Sequence, residues 1–401
     1  MRVLVVGGAG YMAEAVERDL LEIDASDVSE ITVADKAAQA VKLRVAELES
    51  SKVEGCVIDI HDHASLVNQI KKHDIVVNAA SSTTTYEIAK AALLAERNLV
   101  TLLTLNTSLA APGAPVDEFG QLTEEFCRRF DDEYRKANLI GVMGLGSMPG
   151  TSNVLGRYLG DKFDTIETMD FSYVYAHLSE QKTFFPFDAL GMIMQYSQPA
   201  LVFRDGKYVK LPPRSGRESA HYPEPIGTAE RFYIDHTEAT DFSRHYRDKG
   251  ILNVGTKTGW SRGFLQNMEF LDSLGMLDLQ PRKVGDASVV PAEVLTSGLT
   301  GRVKKSAATH EYGCMRLEIR GKIAGQRIEY TADVLSTPYR NLGVTQHRTG
   351  IPAAIGVHMI ARGSITSKGC YSPDYGVDPE VYFHELQRRR IQVSYSVKYL
   401  L

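Results

Sequence analysis

The chain opens with a regular alternation of short apolar runs and segments of helical spacing. Apolar runs fall at Val3–Val6, Ile31–Ala34, Gly55–Ile58, Ile75–Val77, Leu99–Leu102 and Leu139–Val142. Between them, Glu14–Leu21, Ala37–Leu48, Ser65–Ile70, Tyr86–Ala95 and Phe119–Arg135 repeat hydrophobic positions every three or four residues. Continuous apolar strands separated by amphipathic helices predict a parallel sheet covered on both faces. Six such strands within 1–145 fit a doubly wound, Rossmann-type dinucleotide-binding domain.

After Gly150 the pattern changes. Thr165–Tyr175, Met315–Arg320 and Gln326–Val334 alternate in polarity, and the last two, separated by Gly321–Gly325, predict a hairpin. Helices are expected at Asp188–Tyr196, Gly263–Leu274 and Pro291–Leu299, and Leu211–Pro225 is expected to be a loop over a cleft. The fold class is therefore α/β: a parallel Rossmann sheet, then an α+β substrate and dimerisation domain with a mixed sheet over 146–345. The remaining 346–401 form a C-terminal segment. It carries a small-residue helix, Ile351–Ile360, with Gly350 and Pro352 at its start.

Composition narrows the function. Lys and Arg number 45 against 50 Asp and Glu, a net charge of -5, which gives no electrostatic footprint for nucleic acid or an anionic membrane. No apolar run approaches the ~18 residues that span a bilayer. The first apolar stretch runs directly into glycines, unlike a secretory signal. Cys56, Cys127, Cys314 and Cys370 form no CxxC pair, so neither a thiolate zinc site nor a disulfide scaffold is expected. Four reduced thiols suit a cytoplasmic protein. His61 and His63 stand beside Asp59 without further ligands, which reads as a solvated loop, and no metal is expected.

The chemistry begins at residue 7. Gly7-Gly-Ala-Gly-Tyr-Met-Ala13 follows a buried-strand pattern and precedes a helix. Gly8, Gly10 and Ala13 satisfy the dinucleotide fingerprint, and the loop, with Tyr11 and Met12, brings helix N–H groups to a diphosphate. Asp35 ends the next strand, twenty-two residues past Ala13, where an acid meets the adenosine ribose. A carboxylate there favours NAD; Lys36 beside it leaves NADP open. The alternative for Asp35 is a helix N-cap. Asp59 and Ile60 follow the third strand, placed to bracket adenine, and Asn78, Ala79 and Ala80 follow the fourth, where small residues admit ribose and phosphates. Ser81–Thr85 adds hydroxyls at a helix start.

These blocks, with Gly144-Leu-Gly-Ser-Met-Pro-Gly-Thr-Ser-Asn153 and Gly350-Ile-Pro-Ala-Ala-Ile-Gly356, resemble the saccharopine dehydrogenase family. The arrangement is closest to its short members of the lysine 6-dehydrogenase and saccharopine reductase kind. The resemblance implies an oxidoreductase of amino-acid amines and a homodimer formed through the second domain. It also implies that the chain returns near its end to the first domain, through Ile351–Arg362. By position, Gly8, Gly10, Ala13, Asp35, Asp59 and Asn78 bind cofactor, and Gly146, Met148, Pro149 and Gly150 line the junction beside the nicotinamide. The chain departs from the pattern at Val100-Thr-Leu-Leu-Thr104, where relatives often carry an acid. Leu102 and Leu103 polarise nothing, which implies a different amino-acid substrate.

Oxidising a C–N bond needs a base for the amine and for the attacking water, and the substrate carboxylates call for an Arg fork. Tyr173, Tyr175 and His177 share one face of a strand. Arg231-Phe-Tyr-Ile-Asp-His-Thr-Glu238 is dense in ionisable groups, and Lys257 and Trp260 belong to an expected turn, Gly255–Gly259. His177 and His236 are the proton-transfer candidates and Arg231 the carboxylate anchor. The partner is then a small amino-acid or amine substrate. Two other readings compete: a polyamine-forming enzyme of the carboxynorspermidine dehydrogenase or homospermidine synthase kind, and a cofactor-binding protein without chemistry.

Overall fold

The computed structural model describes residues 1–81, 84–104, 130–177, 189–299, 311–337 and 339–400. Six strands open the chain: β1 (Arg2–Val6), β2 (Glu30–Asp35), β3 (Val53–Val57), β4 (Ile75–Asn78), β5 (Asn98–Thr101) and β6 (Ile140–Val142). Then come β7 (Thr165–His177), β8 (Ala200–Arg204), β9 (Lys207–Leu211), β10 (Glu218–His221), β11 (Thr228–Ile234) and β12 (Asn253–Gly259). The hairpins β13 (Arg282–Val284) with β14 (Ala287–Val289), and β15 (Glu311–Ile323) with β16 (Gln326–Ser336), follow. Last are β17 (Gly369–Tyr371) and β18 (Ile391–Tyr399). The chain divides into two compact units, Met1–Tyr158 with Gln346–Arg389, and Leu159–Thr345 with Arg390–Leu401.

The first unit holds a seven-stranded sheet in the order β17-β6-β5-β4-β1-β2-β3. Every pairing in it is parallel. Val3, Leu4, Val5 and Val6 are all fully buried. They do not alternate because helices cover both faces. Six strands were expected from the first 145 residues; the seventh, β17, comes from the chain's return. One core cluster joins Leu4, Val6, Leu66, Ile70, Val76, Ile88, Leu99 and Tyr134. Burying each such aliphatic side chain stabilises by roughly 1.5–3 kcal/mol.

Ion pairs fasten the return to the sheet unit. Arg389, fully buried, donates through Nε to both Asp19 oxygens at 2.7 and 2.9 Å and also pairs with Glu385. Asp27 accepts from Arg362 Nε at 2.7 Å and lies 2.9 Å from His358 Nδ1. Arg388 reaches Asp24 at 2.6 and 3.0 Å. The helix over this return runs from Val344 to Ala361, with Pro352 inside it. It thus starts seven residues before the expected Ile351, because Gln346 and His347 are buried polar residues with partners, not loop.

The second unit holds a nine-stranded sheet with the path β10-β11-β12-β7-β15-β16-β18; β8 pairs β12 and carries β9. Only β12 and β7 pair in parallel along that path. The β15–β16 turn is tighter than Gly321–Gly325. Ala324 and Gly325 form a two-residue loop with φ of 49° and 78°, the signature of a type I′ turn. Gly321 lies within β15, where the register shifts and an added Cβ would fall 2.1 Å from the Thr165 carbonyl. Two further expectations are corrected. Leu211–Pro225 contains β10, and Gly255–Gly259 is not a turn but the end of β12.

That sheet has two unlike faces. One carries Phe171, Phe232 and Ile234, buried together with Trp260 just past β12 under Ala189–Ser197, Glu238–His245 and Arg262–Ser273. The other carries Asp170, Ser172, Arg231, Lys257, Arg316 and Glu318 in adjacent register positions.

Candidate functional site

The glycine loop is stitched to its neighbours at the carboxyl ends of the parallel strands. Gly7 and Gly8 both donate to the Ala34 carbonyl, at 2.8 and 3.0 Å, and Gly10 donates to Gly7 O at 2.9 Å. Gly7 has φ of 76°, and a Cβ there would lie 2.7 Å from Ala80 N. A Cβ on Gly10 would meet Gly7 O at 2.9 Å, so the cradle exists only without side chains. Ala13 is fully buried at the start of the following helix, Ala13–Glu22 (α1). Met12 stands at the N-cap and supplies no side-chain acceptor. The first amides of α1 therefore have no side-chain cap, the arrangement that receives an anion.

The neighbouring strand ends complete the crevice. Asp35 closes β2 with Oδ1 accepting from Ala37 N at 3.2 Å, while Lys36 is exposed. The next helix starts at Ala38 with Ala37 at its N-cap, so Asp35 is not the cap. Ile58 N donates to Asp35 O at 3.0 Å, which brings the β3 end alongside. Asp59 is exposed and accepts from His61 N at 2.9 Å; Ile60 packs on the core cluster. Asn78 is buried. Its Oδ1 accepts from Ala80 N at 3.0 Å and its Nδ2 donates to Thr85 Oγ1 at 3.2 Å, so it shapes the Ala79-Ala80 turn against Gly7. Of Ser81–Thr85, Ser82 and Thr83 lie outside the described residues, as do 119–129 of the expected Phe119–Arg135 helix and Cys127.

After β5, Leu102 is buried and its N–H donates to Asn78 O at 3.0 Å. After β6, Gly146 N donates to Pro149 O at 3.1 Å, closing the Ser147–Met148 turn. A Cβ on Gly150 would fall 2.2 Å from Gly146 O. Asn153 Oδ1 receives Gly150 N at 3.0 Å. Both glycines are required by this close approach.

A buried charge group beneath the glycine loop escaped the sequence reading. Arg44 Nη2 donates to Gly10 O at 3.3 Å, and its Nη1 lies 3.4 and 3.5 Å from Glu14 and Glu17. Burial pushes the Glu17 carboxyl well above the usual carboxylate range, against the pull of the Arg44 guanidinium. Only polar positions within helical stretches hinted at it.

The catalytic candidates lie in the second unit and keep separate company. His177 ends β7 in register with Glu311. His236 follows β11, its Nδ1 against the fully buried Glu238 carboxylate. Burial opposes protonation of His236, but Glu238, Asp235 and Asp241 together raise the imidazole above its ordinary value. Arg231 has its guanidinium occupied: Nε donates to Glu218 at 2.8 Å, and Nη1 to Ser172 at 2.9 Å and Glu318 at 2.8 Å. Protein carboxylates fill the fork expected to hold a substrate carboxylate. Lys257, expected in a turn, is buried in β12 and donates to Glu218 at 2.6 Å. Trp260 belongs to the core, among Tyr196, Phe232 and Phe264. Elsewhere, Glu30, Glu54 and His73 bring possible metal-ligand atoms within 4.8 Å of one another. Both His73 ring nitrogens are already engaged, by Gln69 O at 2.9 Å and Thr32 Oγ1 at 2.8 Å.

A side-chain-free cradle at the carboxyl ends of a parallel sheet, followed by an acid on the next strand, defines a dinucleotide-binding protein. Residues 3–142 match the saccharopine dehydrogenase NADP binding domain, and residues 149–391 the saccharopine dehydrogenase C-terminal domain. The chain belongs to the saccharopine dehydrogenase family. A carboxyaminopropylagmatine dehydrogenase of Synechocystis sp. is 20% identical over 397 residues, 96% of this chain and 95% of that one. The apo, histidine-tagged saccharopine dehydrogenase (L-Glu forming) of Saccharomyces cerevisiae shares the fold, with a TM-score of 0.75 at 15% identity across 99% of both chains. No helix among the described residues is long and apolar enough to cross a membrane.

Proposed function

We propose that this protein is an NAD(P)-dependent oxidoreductase acting on the C–N bond of an amino-acid-derived amine. The observation that carries the reading is the Gly7–Ala13 cradle with Asp35 at the end of β2, in a chain whose residues 3–142 match an NADP binding domain. A bound nicotinamide dinucleotide supplies the hydride acceptor or donor. The chain's part is to hold it and to manage protons. Asp35 accepts the ribose hydroxyls and repels a 2′-phosphate, which makes NAD the first choice; exposed Lys36 keeps NADP as the second. His236, kept protonated more readily by Glu238, donates a proton as an imine is reduced and recovers it in the reverse direction. His177 is the second candidate. Arg231, with its carboxylates already in place, organises the sheet face and leaves the substrate carboxylate to another group.

A second reading has its own support. The relative from Synechocystis spans nearly the whole chain, and its name makes carboxyaminopropylagmatine its substrate. In that reading the amine is a polyamine adduct. Calorimetry with millimolar NADH and NADPH tests the cofactor first; absence of binding to either sinks both readings. Assays of lysine with 2-oxoglutarate, against diamines or agmatine with aspartate semialdehyde, then separate amino-acid from polyamine chemistry by NAD(P)H consumption.

A further inference from the structure

The glycine loop is touched by residues more than 330 positions away in sequence. Gln346 is buried, and its Nε2 donates to Tyr11 O at 2.8 Å and to Glu14 Oε2 at 3.2 Å. One helical turn on, Gly350 lies so close to α1 that a Cβ would be 2.6 Å from Met12 O and 2.7 Å from Ala15 Cβ. Between them, Arg348 Nη1 donates to Ser147 Oγ at 3.0 Å, and a Cβ on Gly146 would touch the Thr349 methyl at 3.4 Å. Four of these five consecutive residues thus reach a loop: Gln346 and Gly350 the one after β1, Arg348 and Thr349 the one after β6.

We propose that Gln346–Gly350 is a positioning clamp for the dinucleotide, with Gln346 its decisive member. The inference rests on the cofactor reading above. The Tyr11–Met12 peptide is planar and trans, so its C=O and N–H point in opposite directions. Pinning the Tyr11 carbonyl to Gln346 therefore fixes the direction of the Met12 N–H, at the uncapped start of α1. That amide is among the first-turn donors that receive a diphosphate. Glu14, the second acceptor of Gln346, also holds Arg44, which donates to Gly10 O. One side chain thereby orients the loop from above α1 and through the charge group beneath it. Gln346 touches no reacting atom; its effect is on nucleotide affinity. Arg348 holds the Gly146–Gly150 loop through the Ser147 hydroxyl.

The test compares wild type, Gln346→Met and Asp27→Asn by calorimetry with NADH and with ADP-ribose. Methionine keeps the length and volume of glutamine but has no donor. Asp27 anchors the far end of the same helix through His358 and Arg362, away from both loops. Gln346→Met is expected to weaken NADH and ADP-ribose alike by about tenfold, the value of one well-placed hydrogen bond. Asp27→Asn is expected to lower Tm and leave both affinities unchanged. Unchanged binding by Gln346→Met overturns the clamp while leaving the cofactor reading intact. Equal weakening by Asp27→Asn overturns it too, since helix docking in general would then explain the effect. A wild-type chain that binds neither nucleotide overturns the cofactor reading and the clamp together.

Discussion

The two units bury charge in different places. In the first, β1 is apolar along its buried length and β4 is apolar up to Asn78, and the ion pairs lie between the helices and the returning chain, as at Asp19–Arg389. In the second, charge is built into the sheet: Arg231, Lys257 and Glu318 sit on β11, β12 and β15 themselves. A parallel sheet wrapped by helices has no polar face to offer. A sheet with helices packed on one face keeps the other for polar pairs, which are stable only when each group is matched. The first unit thus depends on a few buried pairs at its seams, and the second on a redundant mesh.

The largest effect that sharpens this contrast is Arg389→Met. It leaves Asp19 buried without its charged partner, which costs about 3–5 kcal/mol. Hydrogen exchange is expected to accelerate in α1 and in 346–389, with 165–177 and 311–336 unaffected. Acceleration spread evenly through both units would break the comparison. Next is Gly10→Glu. A side chain there meets Gly7 O and puts a carboxylate where phosphate charge is received, so nucleotide affinity falls by about a hundredfold or more. Circular dichroism is expected to stay near wild type while Tm falls modestly, because the clash with Gly7 O is confined to the loop.

These differences also explain what could be read from the sequence. The strands of the first unit are apolar runs, and Val3–Val6, the glycine fingerprint and Asp35 were legible because each rule acts locally. Strand β17 was not, since Gly369-Cys-Tyr371 is three residues long and is a strand only by pairing with β6. In the second unit, Gly255 and Gly259 read as a turn. In the structure they make room in β12 for the Tyr233 ring and the Glu230 carbonyl. Arg231 read as a free anchor because its partners Glu218, Ser172 and Glu318 are 13, 59 and 87 positions away, invisible until the sheet forms. Gln346 and Arg348 escaped for the same reason.

The mesh in the second unit predicts a small response to losing one member. Lys257→Met removes one donor from Glu218, whose carboxylate is partly exposed and keeps Arg231. One cation over the Tyr233 ring is lost as well, while Arg204 remains over it. Destabilisation of about 1 kcal/mol or less is expected in urea titration. A loss as large as that of Arg389→Met would show that the second unit has no redundancy.

The smallest effect is the most discriminating, because its sign differs between the units. His358, buried in the first, has its pKa lowered first by burial, against the pull of Asp27 and Asp19. His236, in the second, has its pKa raised, because Glu238, Asp235 and Asp241 together outweigh burial. An unfolded histidine titrates near 6.5. A lowered folded pKa contributes stability that is complete above that value and is lost as pH falls through the folded pKa. A raised one contributes stability that is complete below it and is lost as pH rises through the folded pKa. Mild acid is therefore expected to loosen the first unit and mild alkali the second. Hydrogen exchange at the two pH values, corrected for intrinsic rates, reads this separately around 358 and around 236. His358→Gln removes the acid response of the first unit alone. If both units respond with the same sign, the partners named here do not control the two histidines.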